Sequence, residues 1–363
     1  MAYDKASFLA GLAVGRNMES WPAMKGENVF RFTVRVPAGL YYSPWMVFDG
    51  TIYWGDGTSS TYDNIPSNYE ESEAFRGRTS HSYSAAGMYQ ISLVGTLLDW
   101  SIIRNATSLM YSDELVSIDT PFPRSMSEKT FLTGICYGCR SLVKLPPKLF
   151  KNCPALKNLA SFCWRCSSLQ EIPDKLFSGC MNVINVNRFF MSCDLAEIPS
   201  DLFAQMTEVE NASGMISYNR RIQNIPHGLL DPLHNLRYPI GLNSLGIHSI
   251  PIGFFANCPD IEEFDNLCSG SPVTDIPSDL FHYSPIAYSF RYTFSQTAIT
   301  DIPSGLFSRC PLASDFSSCF EGCVGIYGDV PKLWERFPTA NGNHCFYGCV
   351  NALNYDEIPE GWK

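Results

Sequence analysis

The sequence predicts a mainly β protein with short helices, in which a small β-sandwich precedes a solenoid of stacked coils. Two observations lead to this fold class. Apolar and polar residues alternate between about residues 27 and 95, and a proline recurs at intervals of 25 to 28 residues from Pro121 to Pro359. The predicted order is an N-terminal docking segment (1–24), a sandwich (25–100), a linker and solenoid cap (101–120), and a solenoid of about nine coils (121–363).

Composition limits the classes of partner. A chain of 363 residues with 45% hydrophobic and 17% charged residues buries more than one core. The formal charge of -10, with only 26 Lys and Arg, disfavours nucleic acid as a partner. All 14 cysteines lie at or after Cys136, which is unlike a secreted disulfide scaffold. No apolar stretch approaches the roughly 20 residues that span a bilayer, so we expect no membrane insertion.

The N-terminal segment is predicted to dock onto a partner. Asp4 is placed to cap a short helix in which Phe8, Leu9, Leu12 and Ala13 share one face. The alternative is that this helix packs on its own neighbouring domain. The apolar run is too short for a secretion signal, so we expect the segment to stay on the chain.

The next region is predicted to form a sandwich of short strands. One strand face is indicated by apolar residues two apart, namely Phe30, Phe32, Val34 and Val36. The W-G-D-G-T turn at Trp54–Thr58 and the H-x-Y-x-x-x-G-x-Y strand at His81–Tyr89 resemble the PKD-like immunoglobulin-fold module. We interpret Asp56 as a turn residue rather than a calcium ligand, and His81 as a packing or hydrogen-bonding residue.

The repeats keep several positions in step with the proline. An L-x-x-I-P unit in most coils predicts a strand, and the Leu-Phe pair three and four residues after the proline predicts a short helical turn. Apolar residues recur ten and thirteen positions after the proline, as at Leu156 and Leu159. Because one coil cannot bury its apolar side alone, we expect neighbouring coils to share one continuous core.

A shorter echo, F-x-x-C-x-x-L-x-x-I/F, runs through each coil, as at Phe150, Cys153, Leu156 and Leu159. It resembles the BspA-like leucine-rich repeats, over about residues 119 to 362. A PKD-like module followed by such repeats is similar to gut-bacterial surface adhesins and to phage or prophage structural proteins. The opening of the chain, without a signal peptide, is more like the phage group.

The cysteines offer a metal alternative. The pairs Cys136/Cys139 and Cys163/Cys166 would together complete a tetrahedral zinc site. They recur at the coil period, however, and Met206 or Leu233 replaces cysteine seven residues after the proline in other coils. We therefore predict buried, structural cysteines, over disulfides and over metal ligands, and no cofactor.

No catalytic constellation is predicted. The six histidines are scattered, and Glu262, Glu263 and Asp265 are interpreted as a solvated face rather than a glycosidase pair. A parallel β-helix that cleaves polysaccharides is the architectural rival, and the Leu-Phe pairs favour short helices instead. Aromatic residues that are candidates for exposed contacts are Trp164, Tyr218, Tyr238, Tyr283, Tyr292 and Trp334.

The resemblance therefore predicts a non-enzymatic phage virion protein: a fibre, decoration or baseplate-associated component for assembly or for adhesion to the host surface. Its expected partners are other virion proteins, through the N-terminal segment, and a host surface glycan or protein, with a second copy of the chain as a further candidate. A bacterial cell-surface adhesin is the alternative, and a polysaccharide-degrading repeat enzyme ranks last.

Overall fold

A computed structural model describes residues 28–72, 76–102 and 112–363. The predicted docking residues Phe8, Leu9, Leu12 and Ala13 lie outside the described residues. The described part is mostly β and turn structure, with few helices.

Within the described residues, seven strands precede the coils. They are β1 (Val29–Val36), β2 (Gly39–Tyr42), β3 (Trp45–Tyr53), β4 (Ser59–Asp63), β5 (Ser80–Tyr83), β6 (Gly87–Ser101) and β7 (Leu115–Ile118). One sheet has the order β4-β3-β6-β1-β7, and β2 pairs with β5 in a second sheet. All these pairs are antiparallel. The predicted alternation in β1 is confirmed, because Phe30, Phe32, Val34 and Val36 are buried.

The contact between β3 and β6 requires two glycines. Gly50 and Gly95 face each other across the two strands, with φ of 154° and 148°. A Cβ at Gly50 would lie 2.3 Å from the carbonyl oxygen of Val94, and one at Gly95 would lie 2.2 Å from that of Asp49. Only glycine allows the two backbones to approach this closely.

The coils are joined by a regular backbone ladder. Alternate N–H groups of one coil donate to carbonyls of the next at 2.7 to 2.9 Å: Leu159 to Asn185, Ser161 to Asn187, Cys163 to Phe189, and Arg165 to Met191. The same four-bond pattern joins residues 290–296 to 315–321 and residues 316–322 to 341–347. The donor segment is not an extended strand, because Ser161 and Arg165 have left-handed φ of 60° and 64°.

The predicted strand and helix positions within a coil are wrong. The recurring parallel bridges lie twelve residues after the proline, as at Asn158, Asn185 and Asn211. At the L-x-x-I-P unit of the first coil, Lys144 forms a one-residue bridge with Ser117. The Leu-Phe pairs lie in single turns rather than helices, because a left-handed residue such as Lys175 (φ 52°) interrupts helical geometry.

The C-terminal end of the stack is closed by aromatic side chains. Within residues 112–363, the α-helix is α1 (Leu333–Arg336), and short 3-10 helices include Glu360–Trp362. Trp362 lies so close to Gly342 that a Cβ there would approach its indole Cδ2 to 2.0 Å. The carbonyl of Trp362 also accepts a hydrogen bond from the Phe346 N–H at 2.9 Å. The last core layer is therefore covered, as a terminal coil requires.

The segment predicted as a linker contributes to both regions. Strand β7 pairs with β1, and Ser117 within it bridges to the first coil. The ring of Phe122 stacks on that of Phe30 in β1, with centroids 5.1 Å apart. It also meets the ring of Phe162 in the coils edge-on, with centroids 6.5 Å apart. One hydrophobic cluster extends as a result from Phe30 to Trp362.

A buried charge network reinforces this junction. Asp99 of β6, which is fully buried, accepts hydrogen bonds from Arg76 Nε at 3.1 Å and from Lys129 Nζ at 2.8 Å. Glu71, in the loop between β4 and β5, accepts from the Thr130 N–H at 2.9 Å. The loop, the sheet and the first coil are thus joined by charge-assisted hydrogen bonds in a water-poor environment.

Candidate functional site

The turn after β3 holds the polar groups of the predicted W-G-D-G-T motif. Asp56 Oδ1 accepts from the Thr58 N–H at 3.0 Å, and His81 Nε2 lies 2.7 Å from Asp56 Oδ2. The His81 ring stacks on Trp54 with centroids 4.8 Å apart. Burial raises the pKa of Asp56, but the hydrogen bonds from Thr58 and His81 outweigh it and lower that pKa. The turn and packing roles predicted for Asp56 and His81 are confirmed.

The burial predicted for the cysteines is confirmed: all 14 are buried and free. Those seven residues after the proline line the core, and burial raises the pKa of the Cys153, Cys258 and Cys310 thiols to about 12. In the pairs, the thiol of Cys136 interacts with those of Cys139 and Cys163. In the described ranges, no group of three or more His, Cys, Asp or Glu is arranged to hold a metal ion.

A second column, twenty residues after the proline, consists mainly of hydrogen-bond donors. The Cys166 thiol donates to the Cys136 carbonyl at 3.1 Å, and the Cys193 thiol donates to the Cys163 carbonyl at 3.2 Å. Asn219 takes this position in the next coil and donates to the Phe190 carbonyl at 2.9 Å. The sequence interpretation missed this role. The available signal was that Cys alternates with Asn219, Ser271 and Thr297 in this column.

The acidic cluster is held by neighbouring side chains. Asp265 Oδ1 accepts from Ser289 Oγ at 2.6 Å and from the Arg291 N–H at 3.0 Å. Tyr288 donates its hydroxyl to Glu263, and Arg237 pairs with Glu262. Burial raises the pKa of Asp265, and the charge of Glu263 adds to that increase.

Arg237, Glu262 and Tyr288 belong to one row of side chains that crosses the coils, eleven residues after the prolines from Pro146 to Pro303. We call it the exposed row; its members are Lys157, Ile184, Glu210, Arg237, Glu262, Tyr288 and Ser314. A shallow groove of about 400 Å³ beside it is lined by Lys157, Met181, Asn182, Ile184, Thr207 and Glu208. Charged, aromatic and apolar groups on a rigid backbone are suited to binding another surface.

The aromatic candidates divide by exposure. Tyr218, Tyr283 and Tyr292 are exposed, whereas Trp164, Tyr238 and Trp334 are partly buried. Trp164 lies beneath two cations, with the Arg165 and Arg188 guanidinium carbons 5.4 and 5.2 Å from its ring centroid. Cation–π stacking of this kind orders arginine side chains at a surface.

No helix in the described residues is both long and apolar enough to cross a membrane. No family model matches the chain, and no curated protein matches it. Similar solved structures include a TLR13–ssRNA13 complex, at 17% identity, TM-score 0.40 and 61% coverage of this chain. Another is the Drosophila Toll–Spatzle complex, at 13% identity, TM-score 0.25 and 62% coverage. Both neighbours are leucine-rich-repeat proteins, and this chain spans only 30% and 38% of their length.

Proposed function

We propose that this chain is a non-enzymatic structural protein of a phage virion, a fibre, decoration or baseplate-associated component that serves assembly or adhesion to the host surface. The observation that carries the proposal is the single core that runs from the sheet into the coils. Stacked coils joined by hydrogen bonds act as a stiff scaffold. Such a scaffold presents its exposed row to a partner at fixed spacing, which is what assembly and adhesion require.

For the first module the proposal includes a PKD-like immunoglobulin fold. Support comes from the seven antiparallel strands in two sheets and from the Trp54, Asp56 and His81 contacts, which join the two halves of the motif. Tyr83 of the same motif donates its hydroxyl to the Trp54 carbonyl at 2.8 Å. The motif therefore has a structural role in this module.

For the coils the proposal is a BspA-like leucine-rich repeat. Support comes from the recurring buried Leu, Ile and Phe columns and from the buried donor column that alternates Cys with Asn. The proposed location in a virion, rather than on a bacterial surface, rests on the resemblance of this domain combination to phage structural proteins.

The non-enzymatic part of the proposal is supported by the polar groups of the coils. The carboxylates of Glu262, Glu263 and Asp265 each bind a neighbouring side chain, so they contribute to the coil surface. Partners in this proposal are other virion proteins, through residues 1–24, and a host glycan or protein at the solenoid.

The test is immunogold electron microscopy of native particles with an antibody raised against residues 121–363, with pre-immune serum as the control. Labelling at fixed positions on phage particles is the expected result. Labelling confined to bacterial envelopes would overturn the virion role and favour the adhesin. Cleavage of host polysaccharide by the purified chain, lost in Asp265→Asn, would overturn the non-enzymatic role.

A further inference from the structure

Charge is distributed unevenly along the coils. Residues 129–193 contain nine Lys and Arg but only two Asp and Glu, whereas residues 238–363 contain five Lys and Arg and fourteen Asp and Glu. The net charge of -10 thus conceals a basic first part and an acidic last part. Opposite fields on one surface steer complementary partners into a defined orientation.

The exposed row and its neighbours show the same polarity. Lys157, Arg165 and Arg188 are exposed at the basic end. At the acidic end lie Glu262, Glu263, Asp265 and Asp315. Between the two ends, Glu210 and Arg237 carry one charge of each sign. Together with these neighbours, the surface is therefore positive in the coils of Lys157 and Arg188 and negative in the coils that follow Arg237, where Tyr288 and Ser314 of the row itself are uncharged.

The basic end has charge to offer a partner. In the described ranges, no carboxylate oxygen lies within 4.0 Å of the Lys157 or Arg188 nitrogens. Stacking on Trp164 orders Arg188 while leaving guanidinium N–H groups for a planar carboxylate. The basic end thus matches acidic side chains of the kind found at the other end of the same row.

We propose that the chain pairs with a second copy of itself through the exposed row, antiparallel, about a twofold axis near Glu210 and Arg237. This axis places the coil of Arg188 in each copy against the coil of Glu262 and Glu263 in the other, so one complementary contact occurs twice. A parallel pairing would place like charges together. The pairing deepens the proposed assembly role by naming one partner.

Apolar and aromatic area lies on both sides of the proposed axis. Ile184 is 38% exposed and Tyr288 is 40% exposed, and Met181 beside the groove is 59% exposed. With the axis between Glu210 and Arg237, Tyr288 of one copy reaches the coil of Lys157 in the other, where the groove lies. An aromatic side chain that enters a groove of the partner is a typical anchor of interfaces between proteins.

The experiment is sedimentation velocity on the purified chain, residues 1–363, at low and high salt. We expect a dimer that weakens as salt rises, because exposed charges are screened beyond about 10 Å at ~0.1 M salt. Two charge-reversed variants are prepared: Lys157→Glu with Arg188→Glu, and Glu262→Lys with Glu263→Lys. Each alone should dimerise at least about tenfold more weakly, since like charges then face each other.

An equimolar mixture of the two variants should dimerise again, because each basic end then meets an acidic end. The matched control is Lys148→Glu with Lys175→Glu, which makes the same charge change at exposed positions two residues after the proline, away from the row. This control should dimerise like the unmodified chain.

The proposal is overturned by a monomeric unmodified chain at low salt, by dimers in the separate variants, or by a mixture that stays monomeric. Circular dichroism on every variant verifies folding. These measurements use purified protein alone, so their failure is distinguishable from failure of the particle-labelling experiment.

Discussion

The sheet module and the coils satisfy their backbone groups in different ways. In the module, extended strands pair within one sheet, and the alternation of side chains decides which face is buried. In the coils, N–H groups pair with the next coil from a curved segment that contains left-handed residues such as Ser161 and Arg165. A stack of coils therefore keeps its hydrogen bonds in register without regular strands.

The two regions nevertheless form one energetic unit at their junction. Phe122 connects the aromatic groups of the sheet and the coils, and Asp99 connects β6 to Arg76 and Lys129. A shared core and a shared buried charge network couple the stability of the two regions. We therefore expect them to unfold together.

Asp99→Ala should have the largest effect, about 3–5 kcal/mol of lost unfolding free energy, because it leaves buried cations with one counter-charge fewer. Denaturant unfolding followed by tryptophan fluorescence and by circular dichroism measures this loss. Glu71→Gln, at a less buried member of the network, is the control with a smaller expected loss. Separate transitions for sheet and coils in the unmodified chain would contradict the view of one unit.

The sequence predicts which residues are buried in both regions, but it predicts the path of the backbone only in the sheet module. The columns at Leu149, Leu156 and Leu159 are buried as the repeat spacing indicates, since apolar periodicity reports which side chains avoid water. Left-handed residues such as Lys148 (φ 56°) carry no such signal, because non-glycine residues rarely take this conformation. The exposed row likewise emerges only when coils stack, since its members are 25 to 27 residues apart.

Leu306→Ala should cost about 2–5 kcal/mol, because Leu306 is 2% exposed and its removal opens a cavity between coils. Leu312→Ala is the matched control, because Leu312 lies in the same coil and is 56% exposed. That control should change stability by less than about 0.5 kcal/mol. Thermal melting compares the two variants, and equal melting temperatures would rule out the buried column.

Asn219→Leu should cost about 1–3 kcal/mol, because it leaves the Phe190 carbonyl and the Leu195 N–H without their side-chain partner. Leucine itself fits this column, since Leu245, nineteen residues after Pro226, follows left-handed Ser244 as Asn219 follows left-handed Tyr218, and it is buried. The loss would therefore measure hydrogen bonding rather than volume. Asn219→Ser, which keeps a donor, should retain more stability, and an unchanged midpoint in the leucine variant would refute the donor role.

Asp56→Asn should lower the melting temperature at about pH 7, and the difference should shrink in acid. Folding lowers the pKa of Asp56. The stability that its carboxylate contributes is therefore present above the pKa in the unfolded chain, about 3.9, and is lost as pH falls through the lower pKa of the folded protein. Melting curves from about pH 7 downward test this dependence. A difference that stays constant with pH would show that Asp56 acts through its shape alone.

Asp265→Asn should have the opposite effect and raise the melting temperature slightly at about pH 7. Burial raises the pKa of Asp265 in the folded protein. Asp265 therefore contributes stability below its pKa in the unfolded chain, about 3.9, and this stability is lost as pH rises through the higher pKa of the folded protein. Asparagine keeps an acceptor for Ser289 and for the Arg291 N–H without the buried charge. The gain should vanish toward about pH 4. Two carboxylates, one in the sheet module and one on the coils, would then respond to acid in opposite directions, because hydrogen bonds from Thr58 and His81 favour the charged form of the first, whereas burial and the charge of Glu263 disfavour that of the second.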